Sequence, residues 1–299
     1  MAYDDDTEVV NAIKGFDRDL KCRGYQFTPG QTHTHDGEVV LCESGFDAIQ
    51  GNPLEVLKYH APGVSRYYRV DLSGDLERAD DGGEIAGRVI SLAEEEMTIA
   101  DIVADGYYWL TEPEPPVVST RSDRSAAIAT GHETVATASG DRSIAAATCC
   151  AAAAKATGDL SAAVATGDQS VAVAVDYQSA AVATGDQSGT IAKGRQNAAV
   201  ATGDQSATIA SGTQSAAVVV GYQSAAIATG DRSIAVAAGE QSAATASHKG
   251  ACAVASGPQG TVNGVEGAAI CAVERDDAGQ IISVASGIVG RDGIRPGVR

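Results

Sequence analysis

A chain of 299 residues with 39 acidic and 21 basic side chains carries a net charge of −18. That balance disfavours nonspecific attachment to nucleic acid or anionic membranes and favours solubility and basic partners. No apolar run approaches the roughly 18 residues of a membrane span, and the acidic start Met1-Ala-Tyr-Asp-Asp-Asp6 is unlike a basic signal-peptide leader.

The six cysteines, Cys22, Cys42, Cys149, Cys150, Cys252 and Cys271, show no disulfide-framework spacing, so the expected setting is reducing and cytoplasmic. Composition changes near residue 121. Residues 1–121 hold 24 acidic against 10 basic side chains, a net of −14, and the remainder holds 15 against 11, a net of −4. Four segments follow from this: an acidic α+β domain at 1–111, a Pro-rich linker at 112–121, a repeat domain at 122–259, and a C-terminal cap at 260–299.

In chain order, Glu8 to Phe16 reads as a strand or short helix ended by Gly15, and Asp19 to Phe27 as a strand carrying alternating aromatics. Gly37 to Cys42 reads as a short strand. Asn52-Pro-Leu-Glu55 has the N-cap, first-turn proline and acidic third position of a helix start. Ser65 to Leu72 alternates as a strand and should turn at Ser73-Gly74. Ile85 to Leu92 is a further strand, and Ile99 to Asp105 a helix with Gly106 after it. Such a domain, about 100 residues long, is large enough for one core.

Three stretches carry a resemblance: Lys14-Gly-Phe-Asp-Arg-Asp-Leu-Lys-Cys-Arg-Gly-Tyr-Gln-Phe27, Leu41-Cys-Glu-Ser-Gly-Phe46 and Asn52-Pro-Leu-Glu-Val-Leu57. They resemble an uncharacterised bacterial and phage domain family whose members often join this domain to Ala-, Ser- and Gly-rich repeats. In those members Gly-Phe is followed by His-Ala-Cys, where this chain has Asp47-Ala-Ile49, so a role for that His or Cys does not carry over. The resemblance extends to Ala269–Arg275 and Ile281–Gly287 in the tail. It implies an architecture and no chemistry.

Two chemical readings of the acidic domain compete with a plain binding module. His33-Thr-His35 with Cys22, Cys42 and His60 suggests zinc, but paired ligands at finger spacing are missing and no metal is expected. Arg23-Gly24 on a strand, with Glu94 and Glu96 after another, is the pairing of an ADP-ribosyltransferase-like fold. There an Arg holds dinucleotide phosphates and a Glu stabilises an oxocarbenium-like transition state. The simpler reading of Glu94 to Glu96 is a solvated charge run. No cofactor is expected.

Glu112-Pro-Glu-Pro-Pro116 is stiff because consecutive prolines fix φ. From Ser125 to Gln259 a nine-residue unit recurs fifteen times without insertion (135/9 = 15). The fixed short period predicts a stacked, parallel β-solenoid. Ala fills the third position in 13 of 15 units and the fifth in 14; the fourth is Val or Ile in eleven, and the seventh is Gly in 12. Each unit is one strand plus one turn, with Gly167, Gly185 and Gly203 and then Asp168, Asp186 and Asp204 in the turns. Two units per coil would close a flattened roll and three a triangular prism; two is the favoured expectation, in which equivalent residues recur every 18 positions and fifteen units make 7.5 coils.

Alternation puts positions three and five on one sheet face and positions two and four on the other, and both faces are apolar. An all-Ala face suits a thin interior. The other then leaves Val164, Val182, Val200 and Val218 on one side and Val173, Ile191, Ile209 and Ile227 on the other as stripes too apolar for a monomer. These residues are expected to mediate self-association. The repeat also resembles heads of trimeric autotransporter adhesins, which implies a trimer. Gln169, Gln187 and Gln205 should form ladders along the rod. The Gly-Asp turns lack a calcium-roll ligand set, and the Thr column is single rather than the doubled array of ice binders. Cys149-Cys150 and Lys155 interrupt the pattern and suggest a local bend or bulge.

Beyond Gln259 the period fails, and two strands flanking Asp276-Asp-Ala-Gly279 read as a β-hairpin, a polar cap against edge-to-edge growth. The leading expectation is a non-enzymatic scaffold: a self-associating solenoid that multiplies acidic domains for a partner with a basic surface. The alternative is a phage or bacterial conflict factor whose first domain binds or modifies a host component.

Overall fold

The computed structural model describes residues 8–80, 82–112, 115–276, 278–291 and 293–295, and divides into two compact units, Met1–His60 with Val64–Asp105, and Ala61–Gly63 with Gly106–Arg299. The acidic leader 1–7, Pro113-Glu114 of the linker and Asp277 of the last turn lie outside the described residues.

In the first unit, β1 (Val9–Phe16), β4 (Thr32–Thr34), β5 (Phe46–Ile49), β6 (Arg66–Arg78) and β7 (Glu84–Met97) form an antiparallel sheet that curls on itself. β1 pairs with both β5 and β6, and β7 with both β5 and β6. Phe16, Phe27, Phe46, Leu72, Ile85 and Ile90 fill the interior.

β2 (Lys21–Cys22) and β3 (Tyr25–Gln26) make a tight hairpin rather than one strand. Its two turn residues, Arg23 and Gly24, have φ of 49° and 80°, as a two-residue hairpin turn of the primed type requires. Gly37 to Cys42 is not a strand; it holds only an isolated bridge between Val40 and Ser44. Gly74 does not end β6. With φ of 84° it sits in a register shift between Ser73 and Leu76, so the strand bulges and continues to Arg78. Asn52 caps its helix as expected, its side chain accepting the Leu54 N–H, with a 3-10 turn at Pro53–Glu55 leading into α1 (Val56–Tyr59). α2 (Ile99–Thr111) runs through Gly106 without stopping, capped where Thr98 and Asp101 exchange hydrogen bonds.

The second unit holds a parallel β-solenoid of about nine turns from residue 117 to 275. Nonapeptides alternate between two sheets, one of nine strands and one of ten. The register confirms two units per coil: Ala162 to Thr166 lie beside Ala180 to Thr184, and Val171 to Val175 beside Gly189 to Lys193. The solenoid is longer than the repeat. Val117–Thr120, in the expected linker, is its first strand, and Thr261–Gly264 and Ala269–Arg275 complete a last coil past Gln259. That final coil is one residue short, since Cys252 pairs with Ala269.

Ala faces inward. Ala163, Ala165, Ala172, Ala174, Ala181 and Ala183 are fully buried, and the interior is thin enough that methyl groups from the two sheets fill it. The Cys149-Cys150 segment brings no bend in register: Ala153 to Ala156 remain aligned with Val135 to Ala138 and with Val171 to Ala174. Ile281–Ile288 then pairs antiparallel with Ala269–Arg275, the expected hairpin. It is not polar on its surface, because Ile281, Ile282 and Val284 are 57–60% exposed.

Candidate functional site

On β1, alternation sends Val10, Ala12, Lys14 and Phe16 to the core-facing side. Lys14 is thus a lysine in an apolar column, 4% exposed. Its ammonium donates to the Asp47 carbonyl oxygen on β5 and lies 5.8 and 5.9 Å from the Phe16 and Phe27 ring centres. Burial is the main effect and pulls its pKa down from the usual lysine value; Cys22 and Asp47 work against that, and Arg23 with it.

A cavity of about 270 Å³ opens beside it. Ile13, Ala48, Ile49 and Val56 give it an apolar wall, and Lys14, Cys22, Arg23, Cys42, Asp47, Tyr59, His60 and Glu84 converge on it. A second cavity of about 190 Å³ shares Lys14, Cys22, Arg23 and Asp47 with the first. The hairpin turn aims Arg23 at the 42–47 segment: its guanidinium donates to the Cys42 carbonyl at 2.6 Å and pairs with Asp47 at 3.1 Å. The other Asp47 oxygen accepts the Cys42 N–H at 2.9 Å, and Cys42 itself has φ of 62°.

Glu84, at the start of β7, accepts the Cys42 thiol at 3.1 Å and also the Tyr59 hydroxyl. The hydrogen bond to Glu84 pushes the Cys42 pKa up to about 11, so this sulfur stays a thiol at neutral pH. Burial raises Tyr59 and lowers His60 to about 4, the latter with help from the Lys14 charge. The site therefore holds an amine in apolar surroundings, a carboxylate with two weak-acid donors, and a neutral imidazole.

Of the Arg23, Glu94 and Glu96 set expected from sequence only Arg23 lines this site, and Cys22, Cys42 and His60, weighed as zinc ligands, line it too. Glu94 and Glu96 are exposed on the far half of β7, where Glu96 takes Arg66 at 2.7 and 2.9 Å. The structure does not bring Arg23 together with either, and the glutamate at the cavity is Glu84. His33 bonds Tyr25, and His35 bonds Ser44. Among the described residues no group of three or more His, Cys, Asp or Glu side chains is placed to hold a metal.

Each of the three stretches Lys14–Phe27, Leu41–Phe46 and Asn52–Leu57 supplies residues to the cavities. Residues 10–105 match a family of unknown function. That family is described as Domain of unknown function (DUF7666), and its matched span contains every lining residue of both cavities. No curated protein and no solved structure matches the chain. No helix among the described residues is long and apolar enough to cross a membrane.

In the solenoid, Val164, Val182, Val200 and Val218 stand half-buried on the outer face of the ten-stranded sheet, next to Ala162, Ala180, Ala198 and Ala216. Ile144 and Ile234, 48% and 37% exposed, end the Ala162 to Ala216 column, Ile128, 56% exposed, continues the Val column through Ala146, and Val220 adds 48% nearby. On the nine-stranded sheet Val173, Ile191 and Ile227 are half-buried, and Ile209 is only 3% exposed, so it has no surface to offer. Gln169 bonds Gln187, and Gln178 bonds Gln196, as rungs of the expected ladders. The turn aspartates act along the rod too: Asp168 accepts the Asp186 N–H at 3.0 Å and Asp186 that of Asp204 at 2.8 Å.

Proposed function

We propose that this protein is a self-associating β-solenoid scaffold that displays several copies of its acidic N-terminal domain. The supporting observation is the outer face of the ten-stranded sheet, a continuous column of Val, Ile and Ala stacked at one coil spacing. A second copy carries the same column at the same pitch, so it matches every rung at once. An apolar stripe of this length exceeds what monomers commonly leave in water. The assembly is a trimer, in keeping with the resemblance of the repeats to adhesin heads. Its setting is cytoplasmic, which agrees with six free thiols. With a net of −14 in residues 1–121, the displayed domains favour a protein partner with a basic surface, and clustering adds avidity.

The test is the solution mass by light scattering at micromolar concentration. Wild type should give a multiple of 30.2 kDa, and Val182→Glu with Val200→Glu should give the monomer. A monomeric wild type overturns the scaffold. A second reading draws on the cavity beside Lys14: the first domain binds or modifies a host component, as in a phage or bacterial conflict factor. Affinity capture with Arg23→Ala and Glu84→Gln as controls separates the two, because the scaffold reading predicts loss of partner only when assembly is lost.

A further inference from the structure

The Lys14 cavity has a specific chemistry. A lysine on a core-facing position of a central strand breaks the local pattern, and such departures mark function more often than stability. Its amine borders a cavity walled mainly by Ile13, Ala48, Ile49 and Val56, with Tyr59 and Glu84 as a donor and acceptor pair in the same lining. Asp47 and Glu84 place carboxylates at the cavity, which disfavours an anionic ligand; the apolar wall favours an uncharged one.

We propose that Lys14 is a nucleophilic amine that captures a short-chain, uncharged aldehyde or ketone as an imine. The Lys14 nitrogen lone pair attacks the carbonyl carbon, and the π pair moves to oxygen. The nitrogen loses a proton and the oxygen gains one, giving a carbinolamine. The nitrogen lone pair then forms the C=N bond as the C–O bond breaks, and the hydroxyl leaves as water after taking one further proton. Tyr59 with Glu84 supplies and takes back the protons. One carbonyl and one amine give one imine and one water, with no oxidant or reductant needed.

An unprotonated amine is required at the start. Burial lowers the Lys14 pKa in that direction, and the charged or titratable groups facing it are Cys22 and Arg23 from the hairpin, Asp47 from β5 and His60 beyond α1. Cys22 and Asp47 oppose the shift and Arg23 supports it. The inference rests on the cavity being a ligand site and is independent of self-association, so the mass measurement and the test below fail separately.

The test is reductive trapping of the full chain at neutral pH with butanone and cyanoborohydride, read by peptide mass. Lys21 and Lys58, exposed on the same domain, serve as internal references. Lys14 should be alkylated about tenfold faster than either, an advantage that shrinks as pH rises and the references lose their protons. Glu84→Gln should slow trapping at Lys14 alone. Modification of Lys21 and Lys58 with Lys14 untouched, or modification of Lys14 only in urea, overturns the proposal. Lys14→Met serves as the mass control, and the wild-type comparison stands even if that variant folds poorly.

Discussion

Gly185 shows why the seventh repeat position is small. A Cβ built on it would lie 2.5 Å from the carbonyl carbon of Gly167 one coil earlier, so the coils touch backbone to backbone there. Gly185 itself has φ of 124°, which strains any side chain there as well, and the ninth position is a second left-handed residue. At fourteen of the fifteen ninth positions, including Gln169, Gln178 and Gln187, φ lies between 52° and 62°. Gly185→Ala should cost on the order of 2 kcal/mol through overpacking, read as a lower urea midpoint. Thr190 replaces the usual interior Ala and is fully buried with no partner for its hydroxyl. Thr190→Val keeps the shape and should stabilise by about 1 kcal/mol in the same assay. His60 sets a pH dependence. Its folded pKa of about 4 lies below the ordinary 6.5 of the unfolded chain, so the unfolded state binds the extra proton between those values. This contribution is complete above pH 6.5 and is lost as pH falls through the window, amounting to about 3 kcal/mol below 4. The urea midpoint of His60→Gln should therefore fall less than that of wild type between pH 7 and 4.

At the scale of the element, eleven of the fifteen repeat units begin with a serine whose role the repetition alone left unexplained. Ser161 hydroxyl donates to the Gly140 carbonyl at 3.1 Å, and Ser143 N–H donates to the Ser161 oxygen at 3.1 Å, a pattern repeated by Ser179, Ser188 and Ser206. These bonds bridge 18 and 21 residues, so they stitch whole coils. Deleting residues 179–196 removes one coil and leaves both sheets in column. Deleting 179–187 removes half a coil and moves every later strand to the opposite sheet, breaking the Thr148, Thr166, Thr184 and Thr202 column. The half-coil deletion should lower the thermal midpoint more than the full-coil deletion, by calorimetry. The strand positions were legible because side chains alternate with period two. The extra coil at 261–275 was not, because Thr261–Gly264 keeps the backbone ladder while abandoning the sequence pattern.

For the molecule as a whole, charge and pattern divide the labour. The acidic excess lies in the first 121 residues, and the repeats that follow carry an apolar outer column that an assembly can bury. On the proposed function, raising salt should weaken capture of a basic partner while leaving the solution mass unchanged, since the proposed partner contact is ionic and the proposed self-association apolar. The sequence by itself determined the solenoid and the C-terminal hairpin, because a strict nine-residue period constrains each position by its neighbours one coil away; the strand registers decided two units per coil over three, and burial decided that Ala rather than Val or Ile faces inward. The cavity was a tertiary decision. Lys14, Cys22, Arg23, Cys42, Asp47, Tyr59, His60 and Glu84 span seventy residues of chain, and no local rule of spacing links them. Only the pairing of β1 with β5 and of β5 with β7 brings the buried amine, the carboxylates and the hairpin turn to one place.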